Sequence, residues 1–274
     1  MARRSVERKP RVAIAITTAF FVILYLPIVV VMLYSFNSKK SLSSFDGVST
    51  RWYAALFHDH DLLASVAASL KISFVAMIGA VILGTMLALA LERVRSRTGR
   101  AAGLIALVPL VTPEIVTGVA ALLLFTGVGI KLSLGTVMIA EVTFSIAYVA
   151  IIVRGRLATL GHEVEEAAMD LGCNRTQAVR LVVLPAIMPA IIAAGLLVFA
   201  LVFDDFVLAF FTTGVSPQPL PVRIYSAIRF GISPSINAIG TLMLLFSVAL
   251  VGLALVIPRL FGRKDNSIDM ITGG

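Results

Sequence analysis

The sequence predicts an all-α, polytopic membrane protein with six transmembrane helices. Two observations carry this. Of the 274 residues, 59% are hydrophobic, and the mean hydropathy is +0.99; soluble domains run near about 45–50% apolar. The apolar residues also fall in long continuous runs, and a bilayer core of about 30 Å needs roughly 20 of them per helix. Six runs qualify: Val12–Tyr34, Leu62–Leu91, Ala101–Thr126, Leu132–Val153, Ala186–Thr213 and Ile236–Leu260. Their length and continuity indicate helices, because a transmembrane barrel shows short alternating segments. The layout expected is a tail over residues 1–11, a six-helix membrane domain over 12–260 and a second tail over 261–274. The connections leave no space for a soluble domain of ordinary size.

The net charge of +8 is of a kind that nucleic-acid binders carry, but its placement speaks of topology. Arg3, Arg4, Arg8, Lys9 and Arg11 precede the first run, and Arg93, Arg95, Arg97 and Arg100 separate the second from the third. Arg154, Arg156, Arg175 and Arg180 lie between the fourth and fifth, and Arg259, Arg263 and Lys264 close the chain. The positive-inside rule puts all four segments, and so both termini, in the cytoplasm. An even number of spans agrees, and no nucleic-acid partner is expected. Val12–Tyr34 is too long for an ordinary signal-peptide core and no small-x-small site follows it closely, so it reads as an uncleaved first helix. The single cysteine, Cys173, excludes an intrachain disulfide.

Within the first external connection, Arg51-Trp52-Tyr53-Ala54-Ala55-Leu56-Phe57 reads as a short amphipathic helix at the outer interface, the depth that Trp and Tyr favour. The third run holds Pro109, Pro113 and Gly118. Such breaks free backbone groups, which a bilayer tolerates only against protein or a water-filled cavity. A kink that serves packing and one that lines a pathway are equally consistent with them.

Between the fourth and fifth runs lies a polar island, about 154–185. Glu163–Leu171 is expected to be helical, with Glu165, Glu166 and Asp170 on a polar side and Ala167, Ala168 and Leu171 on a low-relief apolar side. Gly172 is placed to end that helix, since glycine accepts the left-handed conformation. Asn174-x-x-Gln177 then has the form of a capping box that starts a second helix. Pro185 and Pro189 mark its end and the start of the fifth span. Small alanines permit a partner surface to approach closely, and carboxylates engage basic side chains there; a solvated amphipathic loop has the same composition.

The spacing Glu166-Ala167-Ala168-x3-Gly172-x9-Val182-x-Leu184-Pro185 resembles the EAA signature of ABC importer permeases, with Val182 where isoleucine is usual. The resemblance implies the type I ABC importer permease (MetI-like) fold and a loop that docks into an ATPase subunit. Its coupling residues would be Glu165, Glu166, Ala167, Ala168 and Gly172. It also implies a bacterial cytoplasmic (inner) membrane and an assembly with a second homologous permease, two ATPase subunits and an extracytoplasmic substrate-binding protein. Membrane lipids would surround it. ATP and Mg2+ would belong to the ATPase. This chain has no G-x-x-x-x-G-K-[ST] loop and no Ser/His/Asp or Cys/His arrangement, so neither a cofactor nor enzymatic activity is expected of it.

Acids stand inside the apolar runs. Phe203-Asp204-Asp205-Phe206 lies in the fifth, Glu114 follows Pro113 in the third, and Glu141 lies in the fourth. One aspartate at a helix centre costs roughly 2.5–3.5 kcal/mol on insertion scales. Adjacent helical residues point about 100° apart, so Asp204 and Asp205 face different surroundings. No Lys or Arg in these spans offers a partner. The acids therefore point to a cationic passenger, or to bonds with backbone and water. His58-Asp59-His60 reads as a solvated cluster, and no metal site is expected.

Five stretches resemble the permeases of spermidine/putrescine importers. They are Trp52-Tyr53-Ala54-Ala55-Leu56-Phe57, Thr112-Pro113-Glu114-Ile115-Val116, Phe203-Asp204-Asp205-Phe206, Leu220-Pro221-Val222-Arg223-Ile224-Tyr225-Ser226 and Gly231-Ile232-Ser233-Pro234-Ser235-Ile236-Asn237-Ala238. Glu114 stands where that group often has Asp. The resemblance implies a polyamine pathway along Asp204, Asp205 and Glu114, with Phe203, Phe206 and Tyr225 offering aromatic faces for cation–π attraction. A permease for another organic cation, an opine or a sugar-like solute remains open, as do a secondary transporter and a membrane enzyme.

Overall fold

The computed structural model describes residues 11–40, 44–93, 97–215, 217–230 and 234–262. The expected tails fall outside the described residues except for Arg11, Phe261 and Gly262, and so do Gly231, Ile232 and Ser233. The chain divides into two compact units, Met1–Asp59 with Ala227–Met243 and His60–Ser226 with Leu244–Gly274.

The first unit opens with α1 (Arg11–Ser35), whose apolar window has none of its residues buried by the chain. Phe20, Ile23 and Leu26 are exposed, as suits a helix that lipid solvates. The connection that follows is a folded loop. Asn37 bridges to Val48, its Nδ2 donates to the Ser44 carbonyl at 2.8 Å, and its Oδ1 accepts from the Asp46 amide at 3.0 Å. The expected short helix is present as α2 (Arg51–Leu56). Trp52, however, is buried: its Nε1 donates to the Asn37 carbonyl at 2.7 Å, and Arg51 sits 4.3 Å over its ring. The indole is thus anchored in the folded loop. On the exposed rim the Ser44 hydroxyl, 2.8 Å from Asp46, and Lys39, at 3.4 Å, hold the Asp46 carboxyl below its ordinary value.

The second unit is built on α3 (His60–Arg93), α6 (Leu134–Leu160) and α9 (Leu184–Asp204), which pack on one another. The α3 sequence places Ala76, Ala80, Gly84 and Ala88 at a four-residue repeat, hence on one face, and all four are buried. Lipid tails are as apolar as leucine, so helices in a bilayer gain by close approach of small residues. Gly84 shows how close this approach is. A Cβ there would lie 2.6 Å from Val149 Cβ and 2.9 Å from the Ile146 carbonyl, both on α6. Val149, Val153, Ile187, Ala194 and Val198 complete the dry core.

Two spans are divided, the third at a proline that the sequence reads as a break and the fifth where it reads as continuous. In the third, α4 (Arg97–Val111) and α5 (Glu114–Gly127) meet at Thr112-Pro113 with a bend of 105°. Pro113 forces Thr112 out of the helical region and has no amide to donate. Gly118 is no break at all. It lies inside α5, where the absence of a side chain lets Phe211 approach; a Cβ would stand 2.7 Å from Phe211 Cδ2. The fifth span is cut at Asp205, whose backbone is extended (φ −68°, ψ 119°), and resumes as α10 (Val207–Thr212). The island holds α7 (Glu163–Asp170) and α8 (Arg175–Ala178), the latter running through a π-helical turn, Val179–Val183, into α9. α11 (Leu220–Phe230) and α12 (Pro234–Gly262) follow. Among the described residues, five helices are long and apolar enough to cross a membrane, and the bent α4–α5 pair makes a sixth when taken as one span.

Candidate functional site

The α9–α10 break creates a cavity of about 430 Å³. Asp205 closes α9, and its Oδ1 accepts from the Leu208 amide at 3.2 Å, satisfying one of the first-turn donors of α10. Four acids line the cavity: Asp204 and Asp205 at the break, Glu114 in the first turn of α5, and Glu141 on α6. Asp205 is the meeting point, since both Glu114 and Glu141 reach its carboxyl. Asp204, the last residue of α9, stands on another wall, beside Ser247 of α12. Glu141 is 1% exposed, and its Oε1 has no hydrogen-bond partner among the described residues. Among the described residues, no Lys or Arg lines this cavity.

Its remaining walls are Phe144, Ser145, Tyr148, Phe206, Ser247 and aliphatic residues. Of the three aromatics named from sequence, Phe206 alone lines it. Tyr225 packs behind Phe206, with ring centres 4.7 Å apart. Phe203 is buried between Phe199, at 6.4 Å, and Phe246, at 5.1 Å, where it serves helix packing. Phe144 and Tyr148 escaped sequence reading because their facing depends on how α6 is rotated in the core.

The second candidate surface is the island. α7 ends as the glycine spacing suggests: Gly172 has φ +94°, a conformation in which a side chain would be strained. Its amide donates to the Met169 carbonyl at 2.9 Å, and Cys173 donates to the Ala168 carbonyl at 3.1 Å. Asn174 and Gln177 form the reciprocal capping box, each bond 2.9 Å. The residues of α7 then divide. Glu166, Ala167, Met169 and Leu171 are exposed, Leu171 by 89%. Ala168 is buried against the body of the unit. Glu165 turns inward as well, 3.0 Å from Arg93 of α3 and 3.5 Å from Arg175 of α8. A second group joins Glu92 of α3 to Arg154 at 3.5 Å and to His162 at 3.8 Å. The island is thus an exposed acidic and apolar tip bound by charge to the ends of α3 and α6. Nothing local in the sequence marks the Arg93–Glu165 pair, whose members are 72 residues apart.

Comparison with known proteins shows the family and the fold. A family model described as binding-protein-dependent transport system inner membrane component matches residues 80–264. The chain is 41% identical over 239 residues to the putrescine transport system permease protein PotI of Escherichia coli K12, covering 85% of each. It is 37% identical over 243 residues to the spermidine/putrescine transport system permease protein PotC of Haemophilus influenzae, covering 89% of this chain and 93% of the relative. Among solved structures, a bacterial ABC transporter involved in the import of the acidic polysaccharide alginate aligns with a TM-score of 0.66 at 17% identity, over 95% of this chain and 99% of that one. The MetNI methionine ABC transporter aligns with a TM-score of 0.60 at 19% identity, over 73% and 94%. At such identities the two structures speak for the fold, and they share the importer-permease architecture expected from the sequence.

Proposed function

This chain belongs to the binding-protein-dependent inner-membrane permeases, and from that premise we propose that it forms half of the pathway of an ATP-driven polyamine importer. The observation that carries the cargo is the cavity at the α9–α10 break, which, among the described residues, four acids line and no basic residue does. A passenger with several ammonium groups neutralises such a site, and Phe144, Tyr148 and Phe206 offer surfaces for its methylene chain and for cation–π attraction. The putrescine and spermidine/putrescine permeases to which the chain is similar support the same cargo.

A second, homologous permease supplies the other half of the pathway. Two ATPase subunits bind below, and a substrate-binding protein delivers cargo from outside. Both termini lie in the cytoplasm, with the island on the same side, as the arginine distribution directs. The ATPases hold ATP and Mg2+. The tip of α7, with Glu166, Ala167 and Leu171 exposed, seats in the ATPase cleft and moves with it. Glu165 and Ala168 fasten that tip to the membrane helices rather than to the partner. The pathway acids Asp204, Asp205 and Glu114 receive the cation as the outer side opens.

The test is uptake of labelled putrescine and spermidine in cells deleted for this chain, with and without its return, beside a panel of amino acids and sugars. Restored polyamine uptake that vanishes on ATP depletion supports the reading. Restored uptake of a different solute alone keeps the permease and removes the polyamine.

A further inference from the structure

Glu141 takes no part in the pathway described from sequence, yet it is the most enclosed acid of the cavity. It sits about two turns into α6, 1% exposed, with Oε1 buried and unpartnered among the described residues. A buried carboxylate oxygen is costly until a donor reaches it. The groups nearest to it from α5 and from the α9–α10 break are themselves acids, Glu114 and Asp205. Oε1 is thus open to a donor carried by whatever fills the cavity.

The chemistry of that visitor is restricted. Among the described residues no three His, Cys, Asp or Glu side chains converge as a metal ion needs, so the carboxyls surround a larger space than a metal shell. A neutral polyol brings O–H donors but leaves the gathered acids without a countercharge. A quaternary ammonium brings the charge but has no N–H to offer Oε1. A primary or secondary ammonium supplies both.

Resting on the polyamine reading above, we propose that Glu141 is a ligand for the cargo's ammonium head and sets its selectivity. It admits cations that carry N–H donors and excludes fully N-methylated ones. Asp205 and Glu114 complete that subsite, while Asp204, on a different wall beside Ser247, faces the remainder of the molecule. The role differs from that of Asp204 and Asp205, which lie at a backbone break and meet cargo by charge. Glu141 is held on an unbroken helix, buried in the wall of the cavity, where an unmet hydrogen bond discriminates more strongly than charge alone.

The experiment compares wild type, Glu141→Gln and Glu141→Leu in the deleted cells, with the membrane level of each measured by immunoblot. Two readouts are taken: uptake of labelled putrescine, and its inhibition by the bis-quaternary, fully N-methylated analogue. The wild type is expected to take up putrescine and to be indifferent to the analogue. Glu141→Gln, nearly isosteric, is expected to lose about tenfold or more in uptake at equal membrane level, the scale of a lost charge-assisted hydrogen bond. Glu141→Leu is expected to keep a reduced but measurable uptake that has become sensitive to the analogue, because the orphan acceptor that rejects it has gone. A merely structural role lowers uptake without changing that discrimination, and such a result overturns the proposal. Wild-type uptake by Glu141→Gln overturns it too, leaving the polyamine reading intact. Absence of any wild-type polyamine uptake overturns the cargo reading and this inference together.

Discussion

Replacing Gly84 with alanine is the sharpest probe of the scaffold that carries the cavity. The added methyl would stand 2.6 Å from Val149 Cβ, 2.9 Å from Val149 Cγ1 and 2.9 Å from the Ile146 carbonyl. Carbon atoms sit comfortably at about 3.5–4.0 Å, so α3 and α6 must separate locally by about 1 Å. Neither neighbour can yield alone: one is backbone, and Val149 is a fully buried β-branched residue with restricted χ1. A gap of that size forfeits a quarter to a half of the dispersion well for atoms along the seam, and overpacking of cores costs about 1–3 kcal/mol. A shift of 1–3 kcal/mol is roughly 5- to 150-fold in an equilibrium constant. Gly155→Ala is the internal control, because it lies on α6 with nothing within 4 Å of its Cβ position. The assay is thermal inactivation of the membrane complex, followed by loss of the folded species on size exclusion after graded heating. Gly84→Ala is expected to melt several degrees below wild type and Gly155→Ala at or above it. Equal stability of the two variants refutes the close α3–α6 contact.

Three further substitutions test other parts of the account. Glu166→Arg reverses charge on the exposed face of α7, and is expected to leave membrane assembly intact while ATP hydrolysis loses its link to uptake; a wild-type response of ATPase rate to cargo in that variant contradicts docking through α7. Glu165→Gln removes the ion pairs at 3.0 Å and 3.5 Å to Arg93 and Arg175. With Glu165 mostly buried and Arg175 mostly exposed, the loss is about 1 kcal/mol, read as faster tryptic cleavage at Arg175; unchanged cleavage removes the tether. Trp52→Phe deletes the indole donor to the Asn37 carbonyl, about 1 kcal/mol, and is expected to speed amide exchange at Asp46 and Ser49, whose amides bond within this loop, without altering α3.

The parts legible in the sequence are those fixed by local chemistry. The bilayer sets helix length, so the apolar runs announce the spans, and Gly172 with Asn174-x-x-Gln177 announces the turn of the island. What escaped depends on distant partners. Phe203-Asp204-Asp205-Phe206 reads as helix because it lies within an apolar run, yet Asp205 spends its carboxyl on the Leu208 amide and starts a new helix instead. Pro113 signals a break but not a 105° bend, whose angle is held in part by Gly118 accepting Phe211. Glu141 is visible as an intramembrane acid, but its enclosure beside Asp205 comes from the packing of α3, α6 and α9. Glu165 and Glu166 are neighbours of one type; only the position of Arg93 turns one inward and leaves the other exposed.

The most direct test of the account is transport by the assembled importer in sealed proteoliposomes, with ATP trapped on the ATPase side and labelled putrescine supplied with the binding protein. The account predicts accumulation that requires ATP hydrolysis and falls at least about tenfold in Asp205→Asn, scaled as for loss of a charge-assisted bond, while binding-protein affinity is unchanged. Accumulation driven by an ion gradient without ATP, or wild-type transport by Asp205→Asn, contradicts it.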